Sequence, residues 1–267
     1  MSEKIGFIGA GNMGAAILKG IAGSSFADKV SLYAADPDTA KIEALKEYGV
    51  KPLADAAAVV AECKYIFLAI KPQMFEEVLD AVGNLVTADK VIVSIAAGIT
   101  GEYIKSKTIP DAKVVLVMPN TPLLLGEGAS ALAAVEPVSD EEFGLVCDIF
   151  ASCGKIAVIS KDKMKEIIAI NGSSPAFIYL FAKGFIDYGN SVGISEEVSK
   201  ELFSQTLVGA AKMITDSGYT IDELIKMVSS PGGTTLKGLD ELYAANLTDV
   251  VGNCCKACTQ RAYELSK

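Results

Sequence analysis

The sequence predicts an α/β fold: a mostly parallel sheet with helices on its faces over residues 1–161, followed by an all-α domain over residues 162–267. Three observations carry this. Short apolar runs alternate with helical patterns of Ala, Leu, Lys and Glu as far as about Ser160, the signature of repeated strand–helix units. Beyond Lys161 the strand-length Val and Ile runs disappear and long helical stretches follow. At the start of the alternating half, a glycine-rich turn joins the first apolar run to the first helical pattern.

Taken in order, strands are expected near residues 4–8, 30–35, 65–70, 91–95 and 113–118, with weaker ones near 129–135 and 155–160. Asp38 and Asp55 are placed to cap intervening helices. The second half predicts helices over roughly 162–188, 195–217, 220–228 and 233–265. Their apolar positions, among them Phe177, Ile178, Leu180, Phe181, Phe185, Leu202, Phe203, Leu207, Met213 and Ile214, are too many for about 100 residues to hide alone. Packing against a second copy of the chain is expected.

Composition removes whole classes of function. The formal net charge of −9, with no basic run, disfavours nucleic acid. The longest uncharged stretch, Ile167–Ala182, is about 16 residues and holds Asn171, Ser173, Ser174 and Pro175, whereas a membrane span needs roughly 20 apolar residues. With no basic, apolar and small-residue leader after Met1, a cytoplasmic protein without membrane contact is expected. Six cysteines are too sparse for a disulfide framework, and the cluster Cys254, Cys255, Cys258 reads as small helix residues rather than a metal site. There is no histidine, and the only arginine is Arg261. Histidine-based nucleophile pairs, histidine proton donors and ordinary catalytic zinc sites are thereby excluded. A carboxylate or phosphate in the first 260 residues must be held by lysine or by backbone N–H groups.

The turn Gly9-Ala10-Gly11-Asn12-Met13-Gly14 follows the strand ending at Ile8 and opens a helix, the context of a dinucleotide-binding Rossmann domain. Its first glycine makes the tight turn, the second admits the pyrophosphate and the third allows close helix–strand packing. Asp36, 22 positions after Gly14, stands where an acid binds the adenosine ribose of NAD; it is equally suited to start a turn and cap the next helix.

Later strand ends carry Leu68-Ala69-Ile70-Lys71-Pro72-Gln73, Ser94-Ile95-Ala96-Ala97-Gly98-Ile99-Thr100 and Val117-Met118-Pro119-Asn120-Thr121-Pro122. Together with Asn171-Gly172-Ser173-Ser174-Pro175-Ala176 and Ser229-Ser230-Pro231-Gly232-Gly233-Thr234-Thr235, they resemble pyrroline-5-carboxylate reductases along the whole chain. The resemblance implies reduction of 1-pyrroline-5-carboxylate to proline by NADH or NADPH, in a homodimer that can extend to a decamer. It implies cofactor contacts at Ile8, Gly9, Gly11, Asn12, Met13, Ala69, Ile70, Lys71, Pro72, Ala96, Ala97 and Asn120, to which the spacing reading adds Asp36. It places the imino acid on Ser230, Gly232, Gly233, Thr234 and Thr235, with the Thr235 hydroxyl on the imine nitrogen as the catalytic group. Asp36 and Ala56 depart from the family pattern, in which a small hydroxyl residue and an asparagine stand; this leans toward NADH, although Lys41 is within reach of a 2′-phosphate. The rivals are a related two-domain dehydrogenase or imine reductase and a non-catalytic NAD(P)-sensing module. The first relies on a junction lysine that Asn171–Tyr179 lacks, and the substrate loop argues against the second.

Overall fold

The structure is a computed structural model and describes residues 2–266. The chain alternates as expected: β1 (Glu3–Ile8), α1 (Asn12–Ala22), β2 (Val30–Ala35), α2 (Thr39–Glu43), β3 (Lys51–Pro52), α3 (Ala56–Glu62), β4 (Tyr65–Leu68), α4 (Phe75–Val82), β5 (Val91–Ser94), α5 (Gly101–Lys107), β6 (Lys113–Met118), β7 (Gly128–Val135), α6 (Asp140–Ala151) and β8 (Gly154–Val158). The helices α7 (Ser174–Ser191), α8 (Glu196–Asp216), α9 (Ile221–Met227), α10 (Thr234–Ala244) and α11 (Leu247–Glu264) follow.

The eight strands form one sheet in the order β3-β2-β1-β4-β5-β6-β7-β8, parallel except where β7 runs antiparallel to β6. The C-terminal ends of the central strands lie in register: Ile8 pairs with Ala35 and Leu68, and Leu68 with Ser94. Side chains alternate between the faces. Phe7, Tyr65, Phe67, Val91 and Val93 pack toward α1 and α6, whereas Ile8, Ile66, Leu68 and Ile92 pack toward α3, α4 and α5. A stacked pair, Phe7 and Phe67 with ring centroids 4.5 Å apart, centres the first face. Glu142 of α6, buried, accepts from Lys113 Nζ at 2.7 Å and fixes that helix to the start of β6.

Three elements differ from expectation. β3 is two residues at the sheet edge, and a strand that short, ending on Pro52, leaves no periodic signal. The helix expected from 162 begins only at Ser174: before it lie a 3₁₀ turn, Lys161–Lys163, and a π-type turn, Ile168–Gly172, closed by Ser173 N donating to Ile168 O at 2.8 Å. The helix expected over 233–265 is broken at Asn246, whose φ of 50° ends α10 and starts α11. Asparagine is among the few residues that take that conformation at small cost.

The chain divides into two compact units, one reaching Pro175 and rejoined from Cys258 onward, the other Ala176–Ala257. The second unit contains a small aromatic cluster, with the Phe185 and Phe203 rings stacked at 4.2 Å and Phe181 against both. Otherwise it is nearly all surface: only Gly189 is buried, and Leu180 and Leu202 are 73% and 65% exposed. So much exposed apolar side chain marks an interaction surface. Among the described residues no helix is long and apolar enough to cross a membrane. Sedimentation at micromolar concentration is expected to give a dimer or larger assembly, and Leu202→Glu to shift it toward dissociated, less stable protein. A stably folded wild-type monomer would contradict this.

Candidate functional site

Each glycine of the first turn has its own steric reason. Gly9 has φ +100°, and a Cβ there would fall 2.5 Å from the Ala69 carbonyl oxygen. A Cβ on Gly14 would fall 2.6 Å from the Gly9 oxygen, so α1 lies directly against the turn. Gly11 is different: a Cβ there meets nothing within 4 Å, and it stands directly before the first N–H groups of α1. Gly11 is the N-cap of α1 and no side chain caps that helix. The turn sits where the sheet order reverses, β2 on one side of β1 and β4 on the other, which is the position of an open sheet's ligand crevice. Open space, uncapped N–H groups and a positive helix end fit a pyrophosphate. Ile8 is buried beneath the turn, Asn12 is exposed and Met13 half-buried.

Asp36, at the end of β2, is tied to this turn. Its Oδ2 accepts from Ala10 N at 2.8 Å and its Oδ1 from Asp38 N at 2.9 Å, with Lys41 Nζ 3.5 Å from Oδ1. Burial alone would raise its pKa; the Ala10 and Asp38 N–H groups and Lys41 outweigh that and hold the carboxyl below its ordinary value. The capping half of the sequence reading falls to its neighbour, because Asp38 accepts from Ala40 N at the start of α2. Asp36 instead braces the glycine turn from β2. That role was not legible in the sequence, since Ala10 and Asp36 are 26 positions apart.

A dinucleotide whose pyrophosphate lies at Gly11 and whose adenosine ribose lies toward β2 must send its other half across the ends of β4 and β5, about 5 and 10 Å from β1. Those ends carry Ala69, Ile70, Lys71 and Pro72, then Ala96 and Ala97. Ala69 N donates to Ile8 O at 2.9 Å, Lys71 is exposed at the head of the 3₁₀ turn Pro72–Met74, Ala96 is half-buried and Ala97 exposed. Asn120 is buried, with its side chain committed within the protein: Oδ1 accepts from Ala129 N at 2.9 Å and Nδ2 donates to Asn171 O at 3.2 Å. Asn171 in turn donates through Nδ2 to Met118 O and Ala129 O at 2.7 and 2.9 Å. The two asparagines stitch β6, β7 and the π-type turn together, a pairing their separation of 51 positions concealed.

In the second unit, Ser229–Thr235 forms a tight turn into α10. Gly232 has φ +71°, Gly233 N donates to Ser230 O at 2.9 Å, and a Cβ on Gly233 would strike Ser230 Oγ at 2.6 Å. Gly233 is the N-cap, so neither threonine caps the helix; Thr234 and Thr235 lie exposed on its first turn. The contrast with other helices is informative, because α2, α3, α5, α6, α8 and α9 are all capped by an Asp, Ser or Thr side chain. α4 has no side-chain cap but continues from a 3₁₀ turn, whereas α1 and α10 have a glycine N-cap and no side-chain cap, leaving first-turn N–H groups for an anion. Of the cysteines singled out in the sequence, Cys258 Sγ donates to Ser173 Oγ at 3.3 Å, and all six are free thiols.

The open space at Gly11 gives a clean test. Its backbone suits any residue, with φ −68°, so Gly11→Ala is expected to keep the wild-type melting temperature while weakening dinucleotide binding about tenfold or more, measured by calorimetry. Unchanged affinity would mean that no phosphate approaches Gly11.

Comparison with known proteins agrees with this geometry. Residues 161–265 match the family model described as pyrroline-5-carboxylate reductase dimerisation, and residues 4–98 match NADP oxidoreductase coenzyme F420-dependent. The chain is 32% identical to the pyrroline-5-carboxylate reductase of Methanosarcina acetivorans over 267 residues, covering 100% of this chain and 99% of that protein. It is also 32% identical to the Escherichia coli enzyme over 270 residues, covering 100% of both chains. The crystal structure of the Plasmodium falciparum pyrroline carboxylate reductase with NADP bound superimposes with a TM-score of 0.90 at 30% identity, covering 99% of this chain and 98% of that one. Full-length identity at this level, joined to a matching fold, places the chain in the pyrroline-5-carboxylate reductase family.

Proposed function

We propose that the protein reduces the C=N bond of 1-pyrroline-5-carboxylate to give proline, using a reduced nicotinamide dinucleotide. The observation that carries this reading is the turn Ser229–Thr235, where a glycine N-cap leaves a helix start open for a carboxylate and sets two threonine hydroxyls beside it. Ile8, Gly9, Gly11, Asn12 and Met13 form the pyrophosphate cradle, Asp36 faces the adenosine ribose, and Ala69–Pro72 with Ala96 and Ala97 border the path of the nicotinamide half. Asn120 acts through its hold on Ala129 and Asn171. Ser230, Gly232, Gly233 and Thr234 bind the imino acid, and the Thr235 hydroxyl hydrogen-bonds the imine nitrogen.

The dinucleotide supplies the hydride. A protonated imine is already electrophilic, so the protein's task is orientation and one hydrogen bond rather than strong acid catalysis. This suits a chain with no histidine. The assembly we propose is a two-fold dimer, with a decamer as the larger form the family resemblance implies. Thr235→Ala is expected to lower kcat about 10- to 150-fold with little change in dinucleotide affinity, since hydrogen bonds to charged groups contribute about 1.5–3 kcal/mol. Unaltered kcat and KM would remove Thr235 from the mechanism.

We further propose that NADH is used at least as well as NADPH. The support is Asp36, whose carboxyl is held ionised at the end of β2. A carboxylate about 4 Å from a phosphate costs on the order of 4 kcal/mol per unit charge pair at an effective dielectric near 20, before salt and exposure reduce it. Lys41 offers partial compensation, but it lies 3.5 Å from Asp36 and 3.7 Å from Asp38. Because Asp36 also braces Ala10, Asp36→Ser is expected to raise KM for both cofactors; the informative readout is the ratio of their kcat/KM values, which should move toward NADPH. A wild type that prefers NADPH tenfold, or a ratio that stays put, would overturn the preference without touching the imine-reductase reading.

A further inference from the structure

The turn between β5 and α5 rests on the chain's own C-terminal end. Gly98, with φ +79°, directs its carbonyl to Ser266, whose Oγ donates to it at 3.2 Å. A Cβ on Gly98 would lie 3.4 Å from the Leu265 carbonyl oxygen, so the two backbones run in contact. That terminal turn is itself anchored. Leu265 N donates to Arg261 O at 3.1 Å and Ser266 N to Tyr263 O at 3.2 Å. Ala262 is buried in the sheet's core, and Tyr263 Oη donates to Glu166 Oε1 at 2.8 Å with Lys165 Nζ 4.6 Å from its ring centroid.

The turn also borders an open cavity. A cavity of about 360 Å³ is lined by Ala96, Gly98, Ile99 and Thr100 together with Met118, Met164 and Tyr263. A surface facing an open cavity has no protein atoms packed on that side. Within the turn, Ala96 N reaches Ser94 Oγ only at 3.5 Å, a weak bond at the limit of the geometry. Leu265 and Ser266 hold this turn from one side, and buried Ile99 and the Thr100 cap of α5 hold the end that leads into the helix.

We propose that the C-terminal turn, Tyr263–Ser266, is a positioning element for the nicotinamide half of the site, holding Ala96–Gly98 where a dinucleotide lying across β4 and β5 meets it. The inference rests on the dinucleotide reading given above. Calorimetry compares wild type, Ser266→Ala and a chain ending at Glu264, each titrated with NADH and NADPH, then with ADP-ribose and its 2′-phosphate, which lack the nicotinamide. Ser266→Ala is expected to bind the dinucleotides about 2- to 12-fold more weakly, the range of one hydrogen bond, and the shortened chain more weakly still. Affinity for the adenosine halves should stay within about twofold, a difference that general loosening of the fold does not produce. The proposal is overturned if dinucleotides and adenosine halves weaken together, or if Ser266→Ala binds dinucleotides as tightly as wild type. A wild-type chain that binds none of the four would instead overturn the dinucleotide reading, and this inference with it.

Discussion

Everything at the nucleotide end of this molecule depends on three backbones meeting without side chains between them. Gly9 passes beneath the Ala69 carbonyl at the end of β4, and Gly14 at the start of α1 rests on the Gly9 carbonyl. Neither approach has room for a methyl group. Because β1, β4 and α1 converge there, the first N–H groups of α1 come to the point where the sheet order reverses. Asp36 then fixes the same turn from the side of β2 through Ala10 N. A charge that reads as a ligand contact in the sequence is thus a structural brace in the fold.

The absence of histidine and the single arginine shape the chemistry more than any residue present. Anions here are left to lysines and backbone donors. The two helices with a glycine N-cap, α1 and α10, follow the two glycine-rich turns of the sequence, while six others are closed by their own side chains and α4 continues from a 3₁₀ turn. A glycine N-cap in place of a capping side chain costs a helix only a few tenths of a kcal/mol, and that small loss at two ends is consistent with keeping the N–H groups available to a ligand. An imine needs orientation more than a strong acid, so the reaction proposed for this site is compatible with so spare a set of groups.

The helical unit shows the opposite economy. Its aromatic cluster at Phe181, Phe185 and Phe203 is the main internal packing it has, and long apolar side chains such as Leu180, Leu202 and Ile214 face outward on a single chain. The match to a dimerisation family over residues 161–265 gives that surface its partner, a further copy of the chain. The folding unit is then an oligomer, whose stability cannot be separated from protomer concentration.

The sequence by itself determined the alternation of strands and helices, the glycine turn with its three distinct steric roles, the caps at Asp38 and Asp55, and the surplus of apolar helix surface. These are local properties: a period of two or 3.6, a positive φ, a side chain reaching two or three residues along the chain. What the tertiary structure alone decided are the pairings between distant residues. Ala10 meets Asp36, Asn120 meets Asn171, and Gly98 meets Ser266 across 168 positions. It also decided the π-type turn before α7, closed by the hydrogen bond of Ser173 N to Ile168 O, with Asn171 within it bonded to β6 and β7. Propensity gives no sign of such contacts, because their energy exists only once the sheet has brought the two partners together.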